Sequence, residues 1–325
     1  MSWQFSGRDP SLRKAKFAVA IAACSLLVSA FTARGATLVG AKYAGSVGLP
    51  VAPGQVVRLE VAGLHSVLPA NGRLQKALTV PLPATLAGIS VQVSQASPVG
   101  RRTYDAAILS VEQVSLCADQ SDSSPDCYLT YVTVEIPTDI VFLLGPTPGA
   151  EITISEAASM SSVFGAGVIS DNIHVITSCD KGIPGPCRSV VTHADGSPVS
   201  AQASATPGEV VIIYAWGLGQ TVPSVPTGTA TSIPAPKLST AGWGGVGVHF
   251  DFGPNLAQSG RPASFDIVDA YLTPNQVALY QVNVRVPEAF AGTKPCDGSA
   301  VLSNAAITIL GPYTFDTAQI CVATR

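Results

Sequence analysis

Apolar and polar side chains alternate with a period of two along several short runs of this chain, each bounded by glycine or proline. Ile89-Ser90-Val91-Gln92-Val93-Ser94 places Ile89, Val91 and Val93 on one face, the pattern of a strand with one buried side. Tyr131 to Ile136 and Tyr280 to Val286 alternate likewise, and each ends at a proline, which has no N–H to give to a ladder. Val56-Val57-Arg58-Leu59-Glu60-Val61 and Val210-Val211-Ile212-Ile213-Tyr214-Ala215 are β-rich, entered through Pro-Gly and left through Gly-Leu, the punctuation of strands between turns. No segment carries a sustained 3.6-residue apolar stripe with caps, although Ala157 to Phe164 has room for a turn or two of helix. Many short strands separated by Gly/Pro turns predict an all-β protein built of β-sandwiches.

Some of these runs resemble one another. Ala52-Pro53-Gly54-Gln55-Val56-Val57 is answered by Thr206-Pro207-Gly208-Glu209-Val210-Val211, and Val61-Ala62-Gly63-Leu64 by Ala215-Trp216-Gly217-Leu218. Val132-Thr133-Val134-Glu135-Ile136-Pro137 returns as Val282-Asn283-Val284-Arg285-Val286-Pro287. A period of about 150 residues spans a whole domain, not a solenoid unit. The expected organisation is therefore a leader over 1–35, a first sandwich over 36–179, a turn-rich junction over 180–206 and a second sandwich over 207–325. Val222 to Pro236, rich in proline, reads as a long loop or an extended edge segment of the second repeat.

Charged residues make up 12% of the 325 residues, against about 25% in ordinary globular chains. The leader reads as an export signal: Arg8, Arg13, Lys14 and Lys16 precede the apolar run Phe17 to Phe31, which is short for a bilayer span. Cleavage after Gly35 is preferred to cleavage after Ala30, because the repeat-like sequence begins soon afterwards. An alternative is lipid anchoring at Cys24, since Ile21-Ala22-Ala23-Cys24 fits the pattern before a lipid-modified cysteine; against it, the apolar run continues through Ser25-Leu26-Leu27-Val28. The first 35 residues carry five basic side chains and one acidic one, so their removal takes the net charge from −3 to −7. An acidic chain without a Lys/Arg cluster argues against nucleic acid as a partner and against an anionic membrane. No transmembrane segment is expected after the leader.

Six further cysteines, Cys117, Cys127, Cys179, Cys187, Cys296 and Cys321, are an even number in an exported chain and suggest disulfides. Connectivity stays open among fifteen possibilities, of which three local pairs, 117–127, 179–187 and 296–321, are suggested by spacing. Each would stabilise by roughly 2.5–3.5 kcal/mol in the chain-entropy model. No metal or cofactor is expected: CxxC is missing, and no histidine stands at zinc-like spacing from these cysteines. Asp119, Asp122 and Asp126 between Cys117 and Cys127 lack EF-hand spacing and read as a solvated loop.

The stretch Val191-Thr192-His193-Ala194-Asp195-Gly196-Ser197-Pro198-Val199, then Pro207 to Tyr214, Gly217-Leu218-Gly219, Val225-Pro226-Thr227-Gly228 and Leu279 to Pro287, resembles the uncharacterised Solibacter-type C-terminal domain family of acidobacterial exported proteins. Their modules are similar to immunoglobulin-like sandwiches of the IPT/TIG kind. The likeness covers about residues 190–310, and the first repeat follows it more loosely; Thr240 to Ala270 is longer and more aromatic than the pattern, and Cys296 and Cys321 are additions. The resemblance implies two tandem immunoglobulin-like folds and export, and it brings no catalytic residues.

His65, His174, His193 and His249 are scattered, and the chain lacks G-x-S-x-G, HExxH, a P-loop and a dinucleotide fingerprint. His193 with Asp195 is the nearest approach to a catalytic pair, in a stretch that reads as a structural turn. Aromatic side chains concentrate in the second repeat. Trp216 ends an apolar strand and is expected in the core, whereas Trp243 between glycines, with His249 and Tyr271, is the candidate ligand platform. The expected function is an exported, non-catalytic binding or structural/assembly protein of the cell surface or extracellular space. Its partners would be a second copy meeting it at strand edges or, alternatively, a surface polysaccharide stacked on those aromatics. A hydrolase is the least favoured reading.

Overall fold

A computed structural model describes residues 36–324 apart from 43–48, 65–67, 70–72, 98–99, 119–123, 125–126, 143–148, 157–160, 181–184, 240–245, 253–262, 266, 289–293 and 298–301. The leader therefore lies outside the described residues. All regular structure among those described is β, and no helix among them is long and apolar enough to cross a membrane. The N-terminal half supplies β1 (Thr37–Lys42), β2 (Pro50–Val51), β3 (Val56–Ala62), β4 (Leu74–Lys76), β5 (Thr85–Leu86), β6 (Ile89–Ser97), β7 (Gly100–Asp105), β8 (Ala107–Ser115), β9 (Tyr128–Glu135), β10 (Ala150–Glu156) and β11 (Ser161–Val168). The C-terminal half supplies β12 (His174–Val175), β13 (Val191–Thr192), β14 (Val210–Trp216), β15 (Thr221–Val222), β16 (Lys237–Leu238), β17 (Gly247–Phe252), β18 (Ala263–Phe265), β19 (Ile267–Leu272), β20 (Tyr280–Arg285), β21 (Ala305–Leu310) and β22 (Phe315–Ile320). The stretch considered for a helical turn is strand from Ser161 onward: Ser161 to Ala166 pair with β10.

Each half holds two sheets over one core. In the first, the order β1-β3-β9-β8-β4 faces β2-β11-β10-β6-β5, with β7 on β6. Val57, Leu59 and Val61 of β3 share a buried cluster with Val91 and Val93 of β6 and Ile152 and Ile154 of β10, so burying those alternate residues packs the sheets face to face. In the second, β12-β14-β20-β19-β16-β15, with β13 on β14, faces β18-β17-β21-β22. Val211, Ile213 and Ala215 there meet Val248, Phe250, Ile307 and Ile309.

Within each half the first recurring phrase lies hydrogen-bonded beside the second. Val57 pairs with Val134 and Val211 with Val284. Both strands are entered through a glycine at positive φ, Gly54 at 67° and Gly208 at 83°. Gln55 Oε1 accepts from Ala52 N and Glu209 Oε2 from Thr206 N, each at 2.8 Å. The cysteines pair as 117–127, 179–187 and 296–321. The stretch read as a junction is woven into the second pair of sheets: β13 pairs with β14, and Thr177 bridges to Ser189 across the Cys179–Cys187 loop.

Only residues 169–172 separate β11 from the first residue of the second core, and they are tied on both sides. Ile169 N donates to Val51 O at 2.9 Å, Asn172 Nδ2 to Pro50 O at 3.0 Å, and Asn172 N to Gly217 O at 2.8 Å. Asp171, 1% exposed, accepts from Ser170 Oγ, Thr314 N and Thr314 Oγ1. Gly217 has φ 73°, and a Cβ on it would lie 2.0 Å from Asn172 O. Gly217→Ala therefore forces a backbone shift and should lower stability by more than about 2 kcal/mol in urea unfolding. Gly165→Ala on β11, where a Cβ meets nothing within 4 Å, should stay within about 0.5 kcal/mol of the parent; equal effects would contradict the close approach.

Candidate functional site

The halves enclose a cleft because a segment of the second reaches across to the first. Between β15 and β16 the chain runs through Pro223 to Pro236, the proline-rich loop, as a strap whose tip is Thr227-Gly228. Leu82 N donates to Gly228 O at 2.8 Å, Thr138 N to Thr227 Oγ1 at 3.0 Å, and Gly228 N to Glu135 Oε2 at 2.6 Å. Glycine is required at the tip, because φ is 77° and a Cβ would stand 2.9 Å from Ala107 Cβ and 3.2 Å from Leu82 O. Alternation along β9 sends Val132 and Val134 into the first core and Thr133 and Glu135 to the opposite face; the strap then covers Glu135, leaving it 3% exposed.

The cleft behind the strap measures about 310 Å³. Glu135, Asp139 and Thr138 face it from the first half, and Thr221, Ser224, Ser239 and Tyr280 from the second, with aliphatic wall from Val141, Val222, Val225, Leu272 and Ala278. Burial pushes the Glu135 carboxyl up to about 7, while the Gly228 N–H pulls the other way. The Tyr280 hydroxyl donates to Gly219 O, and burial, with Glu135 adding to it, holds that phenol above its ordinary value.

A second, more open groove of about 550 Å³ lies over the outer face of β14. Residues 211, 213 and 215 point into the core, so Tyr214 and Trp216 stand side by side on the other face. Leu109 on the first half and the segment Thr273 to Leu279 close the groove. The Trp216 ring lies 5.7 Å from that of His174. Asp180, on the groove wall, is engaged by Thr177 N at 2.7 Å, Thr177 Oγ1 at 2.8 Å and His174 Nε2 at 3.0 Å. Thr192 and Thr273 line this groove, and their Oγ1 atoms are buried with no hydrogen-bond partner among the described residues.

Of the expected platform, Tyr271 and His249 are described, and they lie in facing sheets. Trp243 lies outside the described residues, as do Asp119, Asp122 and Asp126. Tyr271, between buried Ala270 and Leu272, faces outward on β19, where Gln281 Nε2 donates to its hydroxyl at 2.5 Å. His249 faces outward on β17, between buried Val248 and Phe250, in the opposing sheet. Trp216 faces outward, half-buried and not in the core as its apolar strand suggested; the alternation Val211, Ile213, Ala215 was the available signal. His193 Nδ1 pairs with Glu209 Oε1 at 2.5 Å and Nε2 with Ala203 O, while Asp195 accepts from Ser197 N and Oγ. Glu209 raises His193 above the ordinary imidazole value, and both ring nitrogens are committed to holding the turn. Among the described residues no cluster of three or more His, Cys, Asp or Glu side chains is arranged to hold a metal.

Glu135 gives the junction a pH dependence of definite sign. Its folded value lies above the ordinary 4.5 of a glutamate, so the folded state binds the extra proton between 4.5 and about 7. Its contribution to stability is full below that window and is lost as pH rises through about 7. Between pH 4.5 and 8 the parent should lose up to about 3 kcal/mol that Glu135→Gln retains, because the amide oxygen still accepts from Gly228. Parallel pH profiles for the two proteins in urea unfolding would refute this. Compared with known family models and with curated proteins, the chain matches none.

Proposed function

We propose that this protein is an exported, non-catalytic binding protein of two immunoglobulin-like β-sandwiches locked at their junction, and that the groove over β14 holds a glycan. One observation carries the reading: Tyr214 and Trp216 share the outward face of a central strand beside a groove whose other lining side chains are neutral except for Asp180. Flat aromatic faces suit the apolar faces of sugar rings, and neutral hydroxyl and amide groups suit their hydroxyls. Export is supported by the basic-then-apolar leader and by three disulfides, which form in oxidising compartments. The resemblance to the Solibacter-type exported family, read from the motifs over residues 190–310 alone, would imply export as well.

A non-catalytic role is favoured because His193 spends both ring nitrogens on structure and because the ring nitrogens of His174 face Asp180 and Asp316. Binding is preferred to self-assembly through the edge strand β7, which is exposed and carries Arg101, Arg102 and Asp105, charges that oppose pairing with a second copy.

In pull-downs of the disulfide-bonded protein over cellulose, chitin, xylan and pectin, at least one polysaccharide should retain the parent. Trp216→Ala should lower that retention roughly tenfold, about 1.4 kcal/mol, with its unfolding transition in place. Retention unchanged in Trp216→Ala, or missing for the parent on every polysaccharide, would sink the assignment.

A further inference from the structure

The cleft behind the strap is chemically unlike the groove over β14. Its two ionisable carboxyl groups, Glu135 and Asp139, are met by no Lys, Arg or His among the lining residues. Glu135 is the informative one. It is 3% exposed and lines the cleft, and among the described residues its carboxyl accepts one hydrogen bond, from the Gly228 N–H to Oε2. A carboxylate so placed is costly unless a positive group pairs with it, and an uncompensated one takes up a proton instead, as its upward displacement to about 7 records. Around it the wall divides into hydroxyls, from Thr138, Thr221, Ser224 and Ser239, and aliphatic surface, from Val141, Val222, Val225 and Leu272.

We infer that this cleft is a second binding site, for a small organic cation that carries a primary ammonium group on an apolar body, with Glu135 as its counter-ion. The ammonium donates to the Glu135 carboxylate and to neighbouring hydroxyls, while the apolar body lies on the valine and leucine wall. Inorganic cations fit less well, because the Glu135 and Asp139 carboxyls come without the third acidic or imidazole group of a metal cluster among the described residues. At about 310 Å³ the cleft is at the small end of ligand pockets, which sets the size at a single ring or a short chain.

The site is linked to pH through named groups. Glu135 on β9 and Asp139 on the turn after it face the ligand from the first half, Tyr280 on β20 from the second, and the Gly228 backbone from the strap. Tyr280 is held above its ordinary value and stays neutral near pH 7, and an alkylammonium keeps its proton below about pH 10. Affinity therefore rises between pH 6 and 8 as Glu135 loses its proton.

The test is a calorimetric titration of the full disulfide-bonded protein with 2-phenylethylammonium, its neutral isostere 2-phenylethanol, and calcium chloride. The expected result is binding of the ammonium alone, tighter at pH 8 than at pH 6, roughly tenfold weaker in Glu135→Gln and unchanged in Trp216→Ala, which belongs to the other groove. Asp139→Asn, on the exposed rim, gives a second and milder loss in a protein whose strap contact is untouched. The inference is overturned if the alcohol binds as well as the ammonium, if Glu135→Gln binds like the parent while unfolding normally, if calcium occupies the site in a Glu135-dependent way, or if no ammonium binding is seen at millimolar concentration. Loss of polysaccharide retention with ammonium binding intact would count against the groove alone.

Discussion

The arrangement of the two halves depends on one seat for one residue. Gly228 brings its N–H to Glu135 and its C=O to Leu82, with Ala107 where a side chain would go. Two backbone polar groups at the tip of a long loop are thereby satisfied by the other half of the molecule, which a buried tip needs. Without that docking Glu135 would be an ordinary solvated carboxylate on an outer sheet face, and the cleft would have no roof. The strap thus creates both the enclosed volume and the displaced acid within it.

A second tie acts at the connection between the halves. Asp171 gathers the turn at Thr314, and Asn172 joins Pro50 to Gly217. The Phe142 and Tyr313 rings meet edge to face with centroids 4.9 Å apart. Short connection, buried acid and strap together restrict hinge motion, which would otherwise be the default between units in one chain. A restricted junction suits a binding protein, since a preformed cleft costs less ordering on ligand capture.

Much of the fold was legible in the residues, for identifiable reasons. Period-two alternation around Val91, Val132 and Val282 marked central strands, because burial against a facing sheet leaves no freedom of register. The recurring phrases marked β3 and β14 as counterparts and β9 and β20 as counterparts, while their pairing as β3 with β9 and β14 with β20 is set by the sheets, and short spacing suggested the three cysteine pairs that form. The site was less legible. Gly228 stood in a recognised motif, yet its role is made by backbone groups and by space, which leave no side-chain signature. Glu135, a lone acid at the end of an apolar strand, was a signal that alternation alone assigned to solvent. Trp216 was misplaced because apolar neighbours outweighed the alternation that turns it outward. Between Ser161 and Ala166 strand pairing with β10 overrode a weak helical tendency.

The most direct measurement is hydrogen–deuterium exchange at three amides, Leu82, Thr138 and Gly228, resolved by NMR. Docking of the strap predicts protection at all three comparable to that of β9 amides. It also predicts loss of that protection in Gly228→Ala, while the cores of both halves stay protected. Exchange of these amides at the rate of an open loop in the parent protein would contradict the account, because strap, cleft and buried acid would then lose their common cause.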